Sequence, residues 1–162
     1  MIFKNLTKNF LINFLIVLSI FLFDRFSKIY AINLDKKYFG SEIFSSKFLN
    51  IILVWNDGIA FGLFNFKENL YNVLTVFILL IILIIIFMII NNNGLKRYSL
   101  LMILGGALGN VYDRIFNKAV PDFIDFHIGN LHWFIFNVAD IFITLGVLIM
   151  ISLEYIDSSK KN

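Results

Sequence analysis

Long apolar runs separated by short polar segments set the pattern of this chain. A membrane-spanning helix needs about 20 mostly apolar residues. Four stretches meet that length, at about 9–30, 69–91, 98–116 and 134–155. The second carries no charge over 69–95, and Asn91-Asn92-Asn93-Gly94 reads as its helix stop. Lys4 and Lys8 precede the first as in the n-region of a signal peptide. No small-x-small cleavage site follows its apolar core, so it reads as an uncleaved anchor. The third contains Gly105-Gly106-Ala107-Leu108-Gly109, and the Gly105/Gly109 spacing offers a close-packing face to a neighbouring helix. Segment 31–68 is too long for a simple turn. Its β-branched and aromatic runs, Tyr38-Phe39-Gly40 and Phe48-Leu49-Asn50-Ile51-Ile52-Leu53-Val54-Trp55, predict a small external β-sheet with aromatics suited to the bilayer interface. The expected fold is therefore membrane all-α with a small β element: four transmembrane helices and a small external sheet, in one domain over 1–162.

Composition agrees. Of 162 residues, 59% are hydrophobic and 15% charged, against roughly 25% charged in a soluble domain. There is no cysteine, which excludes disulfides, a thiolate nucleophile and Cys-type zinc sites. A net charge of +3 is too modest to point to nucleic acid and matters through its placement. Lys4 and Lys8, then Lys96 and Arg97, then Lys160 and Lys161 fall on one side of a four-span chain, and the positive-inside rule makes that side cytoplasmic. Segments 31–68 and 117–133 are then external, although the first of them also holds Lys36, Lys37, Lys47 and Lys67.

The unusual polar residues fall at the outer ends of the spans. Asp140 lies inside the apolar stretch Phe136-Asn137-Val138-Ala139-Asp140-Ile141-Phe142-Ile143. A carboxylate near hydrocarbon is costly and reads as functional by default. Pro121 cannot continue a helix, so Asp122 is expected on an extended connector before a fourth helix beginning near residue 134. The two acids can then meet at one depth, share a proton and activate water. Asn137, three residues before Asp140, faces the same way and can orient its carboxylate. Asp24 and Lys28 are spaced as an i,i+4 ion pair, and a structural role is the simpler reading. Asn110, Asp113 and Arg114 occupy adjacent faces of the third helix; Arg114 can snorkel to headgroups or clamp a substrate oxygen. Asn56-Asp57-Gly58-Ile59-Ala60-Phe61-Gly62 reads as a hairpin turn or as a loop that positions a substrate chain. His127 and His132 are the only histidines and, without HExxH or cysteine, do not make a metal site. Ser27 and Lys28, neighbours on a helix, point about 100° apart and do not form a dyad with each other.

Taken together, Asp24-Arg25-Phe26-Ser27-Lys28, Asn56 to Gly62, Gly105 to Arg114, Val120-Pro121-Asp122-Phe123-Ile124-Asp125-Phe126 and Phe136 to Asp140 resemble lipoprotein signal peptidase, the signal peptidase II family of bacterial inner membranes. The pieces occur in the family order and span nearly the whole chain. Two positions depart from the pattern: Ile59 stands where a small residue is usual and Pro121 where valine is usual. The resemblance implies an aspartic endopeptidase that removes the signal peptide of a prolipoprotein just before a diacylglyceryl-cysteine. It implies Asp122 and Asp140 as the catalytic pair, with Asp24, Lys28, Asn56, Gly58, Asn110, Asp113, Arg114, Asn137 and Ala139 lining or supporting the site. It further implies lipid-modified prolipoproteins and membrane lipids as partners and no cofactor or metal; neither nucleic acid nor an oligomer is expected, and the charge placement sets both termini cytoplasmic with the active site on the periplasmic side.

The alternative is a small membrane transporter or proton-relay protein using Asp140. A relay needs polar groups across the bilayer depth, whereas the inner halves of these spans are nearly all Ile, Leu, Phe and Val. A scaffold with interfacial salt bridges and no catalysis is the second rival.

Overall fold

A computed structural model describes residues 2–57, 68–129 and 131–160. Four helices, α1 (Ile2–Lys37), α2 (Glu68–Asn91), α3 (Gly94–Asn117) and α4 (Val138–Ser159), are joined by strands β1 (Phe44–Ser45), β2 (Leu49–Asn56), β3 (Val120–Ile128) and β4 (Leu131–Phe136). Among the described residues three helical segments are long and apolar enough to cross a membrane: Phe10–Lys37, Asn72–Asn91 and Val138–Ser159. The third expected span, α3, does not meet that measure, because Lys96 and Arg97 open it and Asn110, Asp113 and Arg114 occupy its other end.

α3 is the central post and packs against α1, α2 and α4. Its apolar face meets α2 through Ile82, Ile85, Ile89, Leu100, Leu101 and Leu104. The other three helices leave large apolar side chains such as Phe14, Phe77, Phe87 and Leu148 exposed, as lipid-facing surfaces require. Glycines set how closely α3 is approached. A Cβ on Gly105 would fall 2.8 Å from Ile20 Cβ in α1. One on Gly106 would fall 2.5 Å from the Ala139 carbonyl oxygen in α4. On the facing helix, Gly146 would meet the Ser99 carbonyl oxygen at 2.6 Å. The Gly105/Gly109 face is thus joined by Gly106 and Gly146, and two helices are seated on α3 instead of one.

The sheet is antiparallel in the order β1-β2-β3-β4. The strand expected within 48–55 is present as β2, but its main partner is β3, so Asp122 lies in an inner strand of a sheet and not on a plain connector. Residues 134–136, expected in the fourth helix, belong to β4, and that helix begins at Val138. The run Leu-His-Trp-Phe-Ile-Phe is apolar enough for either state, and pairing with β3 decides it. Gly129, with φ +59°, makes the tight return between β3 and β4. Beneath the sheet, Phe123 packs with Ala31 of α1 and Val138 of α4, tying the strands to the helix ends.

Candidate active site

The site forms where β2, β3, α1 and α3 converge on the first turn of α4. A helix start carries backbone N–H groups with no partner inside the helix. Here they are answered by side chains. Asn137 is the N-cap: its Oδ1 accepts the Asp140 N–H at 3.2 Å, while Asp140 Oδ2 accepts the Asn137 N–H at 3.1 Å. This is a reciprocal capping box. The Ala139 N–H donates to Asp24 Oδ1 of α1 at 3.0 Å. Ala139 is fully buried, and Gly109 leaves the gap through which the Asp24 carboxylate reaches it, since a Cβ there would sit 2.5 Å from Asp24 Oδ2.

The same cap joins the two expected acids. Asn137 Nδ2 donates to Asp122 Oδ1 at 2.6 Å, so one asparagine binds Asp122 through its side chain and Asp140 through its backbone and carbonyl. Val54 lies opposite Asp122 in the β2–β3 ladder, and Asn56, two residues on, shares its face. From there Asn56 Nδ2 donates to Asp122 Oδ2 at 2.9 Å. On the other side Asn110 Nδ2 donates to Asp140 Oδ1 at 2.8 Å. Three neutral amides therefore hold two carboxyls. Burial, followed by the charge of Asp140, pushes the Asp122 carboxyl up to about 6, against the opposing hydrogen bonds from Asn137 and Asn56.

Behind Asn110 lies a buried ionic knot. Lys28 Nζ donates to Asn110 Oδ1 at 2.8 Å and to Asp113 Oδ2 at 2.9 Å, and lies 2.9 Å from Asp24 Oδ2. Arg25 forks onto Asp113, Nη1 to Oδ1 at 2.6 Å and Nη2 to Oδ2 at 2.5 Å, and its guanidinium lies 4.8 Å from the Tyr112 ring centre. Asn117 Nδ2 adds a bond to Asp113 Oδ1 at 2.9 Å. Two acids and two bases balance, so no net charge is buried.

Both carboxyls open onto a cavity of about 410 Å³. Its polar wall is Asn56, Asn110, Arg114, Asp122, Asn137 and Asp140; its apolar wall includes Leu74, Phe77 and Ile81 of α2 and Ile143 of α4. Arg114 is buried in that wall, donating to the Asn110 carbonyl oxygen at 3.3 Å, and does not snorkel outward. The Asp24/Lys28 pair is not an exposed helix pair but part of the knot. Gly58, with residues 59–62 of the segment expected as a turn or substrate-positioning loop, lies outside the described residues. Ser27 Oγ donates to the Asp24 carbonyl oxygen, a bond within its own helix. His132 meets Asp125 at 2.8 Å and stacks on His127, away from the lining of this cavity.

Arg25 and Asn117 join the knot although the sequence pattern assigns neither a role. An arginine in an apolar helix calls for a named partner, and Arg25 carries that signal. Asn117, four residues after Asp113, had only helical spacing to recommend it.

The fold and site are those of an apolar helical bundle that cradles a pair of acids among amides. The family model for signal peptidase (SPase) II matches residues 16–156. A lipoprotein signal peptidase of Pelagibacter ubique (strain HTCC1062) is 50% identical over 155 residues, covering 95% of this chain and 93% of the relative. One of Anaplasma phagocytophilum (strain HZ) is 38% identical over 140 residues, covering 86% and 88%. A bacterial membrane enzyme solved by the in meso method at 2.3 Å resolution superposes with a TM-score of 0.76 at 29% identity, covering 93% of this chain and 91% of that one. The chain belongs to the signal peptidase II family, and with it to the proteases.

Proposed function

We propose that this protein is an aspartic endopeptidase that removes the signal peptide from lipid-modified prolipoproteins, cutting before the diacylglyceryl-cysteine, with Asp122 and Asp140 as the catalytic pair. The observation that carries this reading is Asn137 bonding both carboxyls at the mouth of one cavity. One carboxyl, ionised, takes a proton from water as the water oxygen attacks the scissile carbonyl carbon. The other, protonated, gives its proton to the carbonyl oxygen. Collapse of the tetrahedral intermediate returns that proton, and the leaving nitrogen takes up the one drawn from water. Two like charges this close do not both ionise, so the pair titrates as a unit. No metal or cofactor enters the scheme.

The same reading makes residues 1–162 one domain acting as a monomer in the bacterial inner membrane. α3 also spans the membrane, as the third of four spans, its polar end sheltered by α1 and α4; both termini are cytoplasmic and the sheet is periplasmic. Asp24, Lys28, Asn110, Asp113, Asn137 and Ala139 support the pair, while Asn56 and Arg114, with Gly58, border the substrate.

The test is cleavage of a diacylated prolipoprotein in vesicles by Asp122→Asn and Asp140→Asn. Loss of acid–base catalysis lowers the rate by about 10²–10⁴-fold or more with the fold retained. Normal turnover by both variants rejects the pair. Cleavage by the parent protein also separates a peptidase from a proton relay or an inert scaffold.

A further inference from the structure

Asp122 and Asp125 stand three apart in β3 and so point to opposite faces of the sheet. Asp122 faces the cavity of the acids, while Asp125 is buried on the far face. There it is held from both neighbouring strands. His132 of β4 brings Nδ1 to 2.8 Å from Asp125 Oδ2 and 3.0 Å from Oδ1. A carboxylate only accepts, so that nitrogen carries the proton. Asn50 of β2 donates Nδ2 to Asp125 Oδ2 at 3.3 Å, and its own Oδ1 accepts from the Ser45 hydroxyl of β1 at 2.9 Å. One side chain from each strand thus joins a polar chain that crosses the whole sheet.

Both strands that flank β3 are irregular beside it. β2 runs from Ile51 to Val54 while β3 passes only from Ile124 to Asp122, and β4 runs from His132 to Ile135 while β3 passes only from His127 to Asp125. Such a bulge leaves a residue unpaired and bends its strand. Past each bulge stands an asparagine that holds the acids. Asn56 ends β2 and bonds Asp122; Asn137 follows β4 with no linker and bonds both Asp122 and Asp140. A slip of one residue turns a strand's side chains to the other face, which would withdraw Asn137 from both carboxyls. The Asp125 carboxylate grips each strand on the near side of its bulge, through Asn50 and through His132. The His132 bond is a diagonal one, because its partner across the ladder is His127.

We propose that Asp125 and His132 are positioning residues for the catalytic pair: from the far face of the sheet they fix the register of the two bulged strands that deliver Asn56 and Asn137. The proposal rests on the peptidase reading for its effect on turnover, but its effect on the first turn of α4 is independent of that reading.

The test compares the full-length parent protein with His132→Phe and His132→Asn in phosphatidylglycerol-containing vesicles. Phenylalanine keeps a ring to stack on His127 and removes the donor, whereas asparagine restores an N–H near the place of Nδ1. Amide hydrogen exchange, read by mass spectrometry, needs no turnover. In His132→Phe, exchange over 137–140 accelerates by about tenfold or more, as expected for loss of a hydrogen bond to a charged group, while α3 keeps the parent rate. Unchanged exchange over 137–140 overturns the proposal; so does equal acceleration in α3, which marks general destabilisation. On a diacylated prolipoprotein peptide, kcat of His132→Phe falls by about tenfold or more with KM little changed. The alkaline limb of kcat/KM moves to higher pH, because the Asn137 bond that favours ionised Asp122 is loosened. His132→Asn recovers both. A limb that stays in place in His132→Phe, or no recovery in His132→Asn, also overturns the proposal. Should His132→Phe not fold, Asn50→Leu cuts the β2 arm alone and is held to the same upward shift of the limb, through Asn56. A parent protein that cleaves nothing, with exchange responding as expected, defeats the peptidase reading and leaves the positioning role standing.

Discussion

Lys28 Nζ stands 2.8 Å from Asn110 Oδ1, and this contact decides which way the Asn110 amide faces. An ammonium can only donate. Asn110 must therefore turn its oxygen to Lys28 and its NH₂ to Asp140, which it reaches at 2.8 Å. Lys28 thus acts on Asp140 through an amide, without touching it. Asn110→Leu removes that bond, and a hydrogen bond to a charged group contributes about 1.5–3 kcal/mol. The expected outcome is a fall in kcat of about 10–100-fold at little changed KM, measured on lipopeptide. Lys28→Met lowers kcat in the same sense, and the double variant is no worse than the more damaging single one. Additive losses would show that the two residues act independently.

Arg25 and Asp113 form the two-pronged bond of the ionic knot, and lysine cannot reproduce a planar fork. Arg25→Lys lowers the thermal midpoint in detergent although charge is kept. Arg25→Met lowers it further, since Asp113 and Asp24 then share Lys28 alone, and breaking a buried pair costs about 3–5 kcal/mol. Equal midpoints for parent and both variants would remove Arg25 from the stability argument.

The raised Asp122 carboxyl sets a pH dependence. If the pair works with one proton, kcat/KM of the free enzyme declines as pH rises through about 6, where Asp122 loses it. Asn56 favours the ionised form by donating to Oδ2. Asn56→Ala therefore moves that alkaline limb to higher pH, whatever it does to the maximum rate. A limb that stays in place, or moves down, contradicts the assignment.

Stability follows the same shift with a definite sign. The folded state holds the Asp122 proton more tightly than the unfolded chain does, its carboxyl having moved from 3.8 to about 6. This group's contribution is fully present below about pH 4 and is lost as pH rises through about 6. Roughly two pKa units correspond to about 3 kcal/mol. The midpoint of Asp122→Asn, relative to the parent, therefore rises between pH 4 and pH 8. A difference independent of pH would mean that Asp122 is not held in its neutral form.

Gly106 has no room for a side chain. Its missing Cβ would lie 2.5 Å from the Ala139 carbonyl oxygen and 2.8 Å from Ile143 Cγ1, so Gly106→Ala must push α4 off α3. Overpacking of this kind costs about 1–3 kcal/mol. Because the displaced turn holds Asn137, Ala139 and Asp140, activity falls together with the thermal midpoint. A fully active, equally stable Gly106→Ala protein would show that the helices are not held at this separation.

What could be read without coordinates were features imposed residue by residue. Hydrocarbon thickness fixes the length of an apolar run, which exposes α1, α2 and α4 to inspection. Acids in apolar surroundings advertise themselves, which singles out Asp122 and Asp140. Small residues at helical spacing announce a close contact, which marks Gly105 and Gly109. The motifs carry the family by their order along the chain. None of this needs to know which segments touch. Pairing of β2 with β3 joins residues about seventy positions apart, and local propensity cannot choose between partners at that separation. The apolar run of β4 reads equally as the start of a helix, so the true helix start at Val138, and with it the capping role of Asn137, emerged only from tertiary contacts. The same holds for the knot: in sequence Asp24 and Lys28 read as a local helix pair and Arg25 and Asp113 as separate charges, and only the approach of α1 to α3 at Gly109 turns the four into one neutral, buried unit. Sequence alone settled which groups are present and which medium surrounds them. Three-dimensional packing decided which donor faces which acceptor, because hydrogen bonds depend on positions a few tenths of an ångström apart that no linear pattern encodes.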